Sequence, residues 1–251
     1  AIANDDSARG SFRDSGDATF NSNGFTINTA DSSGSSHNIS ISYEEGPNGN
    51  DATGAMVIGT LNAGSSGTIT IDSTADETVS VDAVTNASAL VLTQSNGATF
   101  EGAVTATTIT LTDTTNNADI LFQGNVTATT FTTAAQGYDL ALTGSSNTIT
   151  NAVTFQNTGN LNLGDASGDA FTFNGGLTES TSGTVTLAGS IDSSNDVMTF
   201  GAVTLAAATT LDSNATNTTG DITIGTVTGS NNNLTLDTTT TTGSASHTFN
   251  G

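Results

Sequence analysis

Four aspartates in two short loops are the residues whose types and spacing best fit a binding site. Asp165 and Asp169 bracket one loop, and Asp192 and Asp196 bracket the other, each pair four positions apart with small residues between them. Calcium takes about six to eight oxygen ligands, and carboxylates in turns supply them. These pairs therefore predict a calcium site, although neither loop has the EF-hand spacing or belongs to a glycine-rich nonapeptide repeat. The alternative is that the aspartates only cap solvated turns.

Catalytic groups are sparse by comparison. The chain has no Cys and no Lys; its basic side chains are Arg9, Arg13, His37 and His247, and each histidine stands among serines. No Ser–His–Asp arrangement is recognisable. An Asp/Glu pair for glycoside hydrolysis would lack a tryptophan platform for the sugar, since Trp is absent. We therefore expect no enzyme and no cofactor apart from calcium, with a polysaccharide-active protein as the alternative.

The charge balance excludes two classes of partner. The net charge is −22, with 24 acidic residues against two Arg. Nucleic-acid phosphates and anionic membrane surfaces both require basic side chains. No apolar run reaches the roughly 18 residues that a membrane-spanning helix needs. We predict no nucleic-acid partner and no membrane insertion.

Composition changes near residue 50. Only three of the 51 threonines lie in residues 1–50, whereas this part holds both arginines and the single proline, Pro47. The stretch EEGPNGND at 44–51 is rich in turn residues and is typical of a connection. We predict an N-terminal capping or assembly segment at 1–50 and a repeat domain at 51–251.

Strict alternation of apolar and polar residues marks short β-strands beyond this boundary. Such alternation is typical of half-buried strands, and clusters of Gly, Asn, Asp and Ser separate the runs. No helical periodicity is present, and LAAATT at 205–210 is too short and too rich in Thr for a helix. The apolar pairs are Ile69 and Ile71, Val79 and Val81, Ile109 and Leu111, Ile120 and Phe122, Leu140 and Leu142, Leu161 and Leu163, Phe171 and Phe173, Val185 and Leu187, Ile222 and Ile224, and Leu234 and Leu236.

A longer repeat indicates how these strands are arranged. FEGAVTATT at 100–108 and FQGNVTATT at 122–130 match at seven of nine positions, 22 residues apart. Similar turns recur at intervals of 18 to 33 residues, whereas a sandwich would repeat near 90–100 residues. The sequence thus predicts an all-β fold, a parallel β-helix (β-solenoid) with about 18–33 residues per coil. The recurring residues are Phe100, Phe122, Phe155, Phe173, Phe200, Ile224 and Phe249.

Several phrases also resemble a known group of bacterial proteins. GDITIGTVTGSNNNLTLDT at 220–238 and GAVTLAAATTLDSNAT at 201–216, with the two phrases above, are similar to the repeats of filamentous-haemagglutinin-like and autotransporter-like β-strand-repeat surface proteins. The resemblance covers about residues 55–251. It implies a right-handed parallel β-helix, export to the bacterial surface, and an adhesive or structural role.

Threonine pairs of the form Thr-x-Thr raise a different function. On a flat face, regular arrays of such pairs order water, so an ice-binding protein is a further alternative. The intervals between the pairs are irregular, which argues against a regular array, and Thr is in any case a favourable outward residue in strands. The pairs are Thr68 and Thr70, Thr108 and Thr110, Thr130 and Thr132, Thr148 and Thr150, Thr184 and Thr186, and Thr226 and Thr228.

The last four residues, Thr248, Phe249, Asn250 and Gly251, resemble the start of another coil. Open solenoid ends present unpaired strand edges that another strand pairs with. We therefore predict a structural subunit of an extracellular bacterial fibre or surface assembly, a homopolymer that stacks head to tail. Arg9 and Arg13 would pair with the acidic neighbour, or form only a solvated arm. The alternative is a stalk of a large surface adhesin, with a glycan or host-cell surface as partner.

Overall fold

The structure is a computed structural model that describes residues 8–14, 20–21, 26–29, 37–45, 55–73, 77–112, 114–115, 117–179, 183–213, 220–229, 231–238 and 245–250. Within these ranges all regular structure is β, and no residue is helical. The 23 strands are β1 (Ala8–Asp14), β2 (Phe20–Asn21), β3 (Thr26–Asn28), β4 (Ile39–Glu45), β5 (Ala55–Ser73), β6 (Thr78–Gln94), β7 (Ala98–Phe100), β8 (Val104–Leu111), β9 (Asp119–Phe122), β10 (Val126–Thr133), β11 (Asp139–Leu142), β12 (Ser146–Ile149), β13 (Val153–Phe155), β14 (Leu161–Leu163), β15 (Ala170–Phe173), β16 (Leu177–Glu179), β17 (Val185–Asp192), β18 (Met198–Phe200), β19 (Val203–Asp212), β20 (Ile222–Ile224), β21 (Val227–Thr228), β22 (Leu234–Asp237) and β23 (His247–Phe249).

All strand pairings among the described residues are parallel, and each strand pairs with a strand about one coil further along the chain. The predicted β-solenoid is therefore confirmed, with about eight turns. All ten predicted apolar pairs lie in strands, and LAAATT lies in β19.

Three faces make up each coil. Face 1 contains β2, β7, β9, β11, β14 and β21; face 2 contains β3, β12, β15 and β22; face 3 contains β1, β4, β13, β16, β18, β20 and β23. The longer strands β5, β6, β8, β10, β17 and β19 bend round a corner, and each contributes to more than one face. The chain visits the faces in the order 1, 2, 3 in every coil.

Pairing register measures the coil length directly. From β5 onward the partners lie between 18 positions apart, as for Val185 and Val203, and 25 positions apart, as for Ile222 and His247. The interval of 22 between Phe100 and Phe122 is one coil, because these residues pair. The interval of 33 between Phe122 and Phe155 does not correspond to one coil, because Phe122 lies on face 1 and Phe155 lies on face 3. The first coil is longer, since Phe20 pairs with Met56.

The core is a set of stacked columns. Phe100 and Phe122 are both fully buried, and their rings stack with centroids 4.6 Å apart and an interplanar angle of 6°. Phe171 and Phe173 lie in parallel planes within one strand, with centroids 6.3 Å apart. Each coil contributes only a few inward side chains, so apolar burial against the neighbouring coils on both sides stabilises the stack.

Asn and Asp side chains at the corners link one coil to the next. In each case a side-chain oxygen accepts the backbone N–H at the corresponding corner of the following coil, which no strand pairing satisfies there. This pattern differs from the amide stacking typical of Asn ladders, and it satisfies backbone groups where the ladder is interrupted. The pairs are Asn38 with Thr68, Asn125 with Ser146, Asp139 with Asn160, Asn160 with Thr184, and Asp221 with Ser246, at 2.7–3.0 Å.

Glycines at one corner are required by close stacking. A Cβ atom at Gly124 would overlap the carbonyl group of Gly102 in the preceding coil and would lie 2.5 Å from the amide nitrogen of Ala103. Gly144 stands in the same relation to Gly124. Gly97 illustrates the other use of glycine, because its φ is 103°, a value that L residues rarely adopt.

Gly124→Ala tests this close approach. We expect a loss of about 1–3 kcal/mol in the free energy of unfolding, because the methyl group meets backbone atoms that cannot rotate away. Urea or thermal unfolding measures the change. Gly168→Ala is the matched control, since nothing lies within 4 Å of a Cβ at Gly168; equal effects of the two substitutions would contradict the explanation.

The described strands of residues 1–50 continue the same stack. β2, β3 and β4 each pair with β5, and β1 pairs with β4. The described strands of this segment thus form the rungs that precede β5. A capping or assembly role for this segment stays a prediction.

Candidate functional site

The loop between β14 and β15 is closed by one of its own aspartates. Asp169 is only 6% exposed, and its Oδ2 accepts hydrogen bonds from the backbone amides of Asp165 and Ala166, both at 2.9 Å. Asp165 is exposed at the start of the loop. The Asp169 carboxylate is therefore engaged by backbone donors, as expected of a turn cap.

The loop between β17 and β18 is closed in a related way. Asp192 Oδ1 accepts the backbone amide of Ser194 at 2.6 Å, and the Ser193 hydroxyl donates to the carbonyl oxygen of Asp196. Ser194 and Asn195 have positive φ values of 52° and 85°. The side-chain bonds hold a tight turn that would otherwise be strained.

These two loops lie at different corners of the solenoid. Residues 165–169 connect face 1 to face 2, whereas residues 192–196 connect face 2 to face 3. The structure therefore does not bring the four predicted calcium ligands together. Within the described part of the chain, no group of three or more His, Asp or Glu side chains is arranged to hold a metal ion. Calcium binding by either loop stays a prediction.

Asp192 instead belongs to a ladder of aspartates on face 2. It pairs in register with Asp212, and Asp212 pairs in register with Asp237. The backbones of these three aspartates are thus about 4.7–4.9 Å apart from one coil to the next. Sequence reasoning missed this ladder, although its signal is visible: the strands SID (190–192), TLD (210–212) and LTLD (234–237) all end in Asp.

Asp212→Asn removes the central charge of this ladder and keeps a side-chain oxygen. Like charges directly opposite one another destabilise a sheet by about 0.2–1 kcal/mol per pair. We therefore expect the variant to be more stable by about 0.5–2 kcal/mol at low salt, with a smaller gain at about 1 M salt, where screening acts within about 3 Å. Thermal unfolding at both salt concentrations measures the effect.

Asp165→Asn is the control for this measurement. It removes the same charge from an exposed loop residue outside the ladder. If both variants became more stable by the same amount, the stabilisation would come from the lower net charge of the chain and not from the register of the three aspartates.

The predicted assembly residues within the described ranges lie in the first and last described rungs. Arg9 and Arg13 are in β1, where they pair with Ser40 and Glu44. Thr248 and Phe249 pair with Thr223 and Ile224, and the Asn250 amide donates to the carbonyl of Ile224 at 2.9 Å. Gly251 lies outside the described residues.

Phe249 differs from the residues that precede it in its column. Ile224 is 0% exposed and Phe200 is 2% exposed, because a further coil covers each of them. Phe249 is 57% exposed. The last described rung therefore presents an apolar ring that has no covering coil among the described residues.

Threonines form a ladder on face 3. Their irregular spacing in the sequence does not reveal it. The outward positions of this face, in stacking order, are Thr70, Val91, Thr110 and Thr132, and then Thr154, Thr178, Thr199, Thr223 and Thr248.

The ladder is narrow, however. Three of the six Thr-x-Thr pairs lie on face 3, and the residues two positions before Thr154, Thr178 and Thr199 are Ala, Gly and Val. The hydroxyl array is thus regular along the axis but only one threonine wide over half its length, so ice binding is not favoured by this face.

The two histidines lie far apart in the described structure. His37 precedes β4 near one end of the stack, and His247 begins β23 at the other end. The His37 carbonyl accepts a hydrogen bond from the Thr29 hydroxyl, and the His247 ring lies 3.5 Å from the Thr238 hydroxyl. Neither contact places a carboxylate and a serine as a triad requires.

Fold and surface together define a β-solenoid protein, compatible with the β-helix proteins of bacterial surfaces. No helix among the described residues is long and apolar enough to cross a bilayer. Comparison with known protein families, curated proteins and solved structures found no match for this chain.

Proposed function

We propose that the protein is a structural subunit of an extracellular bacterial fibre or surface assembly, in which solenoids stack head to tail as a homopolymer. The observation that carries the proposal is the last described rung, where Phe249 continues a buried column and is itself 57% exposed. Strand addition to such an edge uses backbone hydrogen bonds for affinity and an apolar side chain for register. A head-to-tail contact of this kind does not close and so produces filaments.

Charge supports the same arrangement. The net charge of the chain is −22, and its two arginines both lie in β1, in the first described rung. A neighbouring subunit would bring its last coil, which includes Asp237, against this rung. Pairing of Arg9 and Arg13 with acidic side chains of that coil would direct association head to tail.

The resemblance of the repeat phrases to filamentous-haemagglutinin-like and autotransporter-like surface proteins supports export and a place at the cell surface. A stalk of a large surface adhesin is the second candidate. In-register stacking through about eight turns makes a stiff spacer of about 40 Å, and longer stacks would hold a binding tip for a glycan or host-cell surface. In a stalk, further coils of the same chain would cover Phe249. The full open reading frame separates the two candidates.

Electron microscopy of the purified 251-residue chain tests self-assembly. At about 0.5–1 M salt, where the repulsion between acidic subunits is screened within a few ångströms, we expect linear filaments of constant width. Phe249→Asp should leave single short rods, because it puts a charge into the end contact.

Val197→Asp is the matched control, since Val197 is 45% exposed on the side of the solenoid and the substitution adds the same charge. This variant should still form filaments. Short rods alone for the unchanged chain at every salt concentration would overturn the proposal of a self-assembling subunit and favour the stalk.

A further inference from the structure

One corner of the solenoid interior is polar. Ser73 and Glu77 lie where face 3 meets face 1, Ser95 lies at the same corner one coil further on, and Thr114 follows in the next coil. Their exposed fractions are 0%, 3%, 2% and 4%. Backbone bonds hold these residues in line: the Asn96 amide donates to the Glu77 carbonyl at 3.0 Å, and the Thr115 amide donates to the Ser95 carbonyl at 2.9 Å.

Glu77 differs from the other buried acids of the described structure. Asp169 accepts two backbone amides, and Glu179 Oε2 accepts the Gly201 amide at 2.9 Å. Glu77 Oε2 is buried without a hydrogen-bond partner among the described residues, and so is the hydroxyl oxygen of Ser95. A buried carboxylate in this state is costly unless a donor or a cation accompanies it.

Few side chains of this protein carry a positive charge that could compensate the Glu77 carboxylate. The chain has no Lys, and both arginines are in β1, which β4 separates from β5. The described polar groups at this corner include the Ser73 hydroxyl, which donates to the Glu77 backbone carbonyl oxygen at 3.5 Å, and the buried Ser95 hydroxyl one coil further on. A carboxylate among neutral oxygens is the donor set that hard cations prefer.

We propose that Glu77, with the hydroxyls of Ser73 and Ser95, forms an internal cation site that binds calcium between successive coils. This site is separate from the loops at 165–169 and 192–196, and it does not depend on the assembly proposed above. Bound calcium offsets the Glu77 charge and joins two coils, so it stabilises the solenoid from within. Magnesium fits less well, because it requires near-ideal octahedral geometry and loses its waters reluctantly.

Thermal unfolding of the full chain with calcium chloride, against magnesium chloride at equal ionic strength, tests the site. At a calcium concentration about a hundredfold above the dissociation constant, we expect the unfolding midpoint to rise by about 5–10 °C. Magnesium should give a markedly smaller shift. Glu77→Gln should abolish the calcium-specific shift and raise the midpoint in chelator, because it removes the uncompensated buried charge. Ser95→Ala should keep the fold and reduce the shift.

Two control variants remove the same charge elsewhere. Glu101→Gln changes an exposed acid one coil away, whose Oε1 accepts the Ser80 hydroxyl at 2.8 Å, and Asp165→Asn changes a predicted loop ligand. Both should keep the calcium shift. The proposal is overturned if calcium and magnesium act alike, if Glu77→Gln responds as the unchanged chain does, or if Asp165→Asn abolishes the response.

Discussion

Parallel stacking in register places each residue of a coil against the equivalent residue of the next coil, at about 4.7–4.9 Å. Every other feature of this molecule follows from that constraint. Residues that tolerate a copy of themselves at this distance stabilise the stack, as the parallel rings of Phe100 and Phe122 do. Like charges in register oppose stacking, and the aspartates at 192, 212 and 237 occupy such positions.

The corners of the coils impose a second structural requirement. Strand pairing is interrupted there, so backbone groups need other partners. Side chains such as Asn160 supply an acceptor to the following coil, while glycines such as Gly124 allow the backbones to approach. Outward ladders favour Thr, which is the commonest residue with 51 of 251, while corner acceptors favour Asn and close corners favour Gly. The chain has two Arg and no Lys, so few cationic side chains are available to a buried acid such as Glu77.

These observations connect the scaffold to its proposed use. A solenoid has no natural limit along its axis, and what covers its last coil decides whether it becomes a rod, a stalk or a fibre. The ring of Phe249, which is 57% exposed, lies on the last described rung, where such a cover would pack. Internal calcium at Glu77 would act on a different property, the cohesion of neighbouring coils, and so would stiffen a stalk and a fibre alike.

The amino-acid sequence by itself determined the strands, the fold class and the pitch of the repeat. Alternation such as Ile69 and Ile71 depends only on neighbouring residues, and the match between the phrases at 100–108 and 122–130 measures one coil directly. Tertiary structure alone decided which residues of different coils meet. The loops differ in length from coil to coil, so equivalent residues stack at different sequence intervals. Thr154 and Thr178 stack at an interval of 24 positions, and Thr108 and Thr130 stack at an interval of 22. For the same reason the loops at 165–169 and 192–196 look alike in sequence and lie at different corners. The burial of Glu77 likewise depends on coils that close over it, and no local pattern records that.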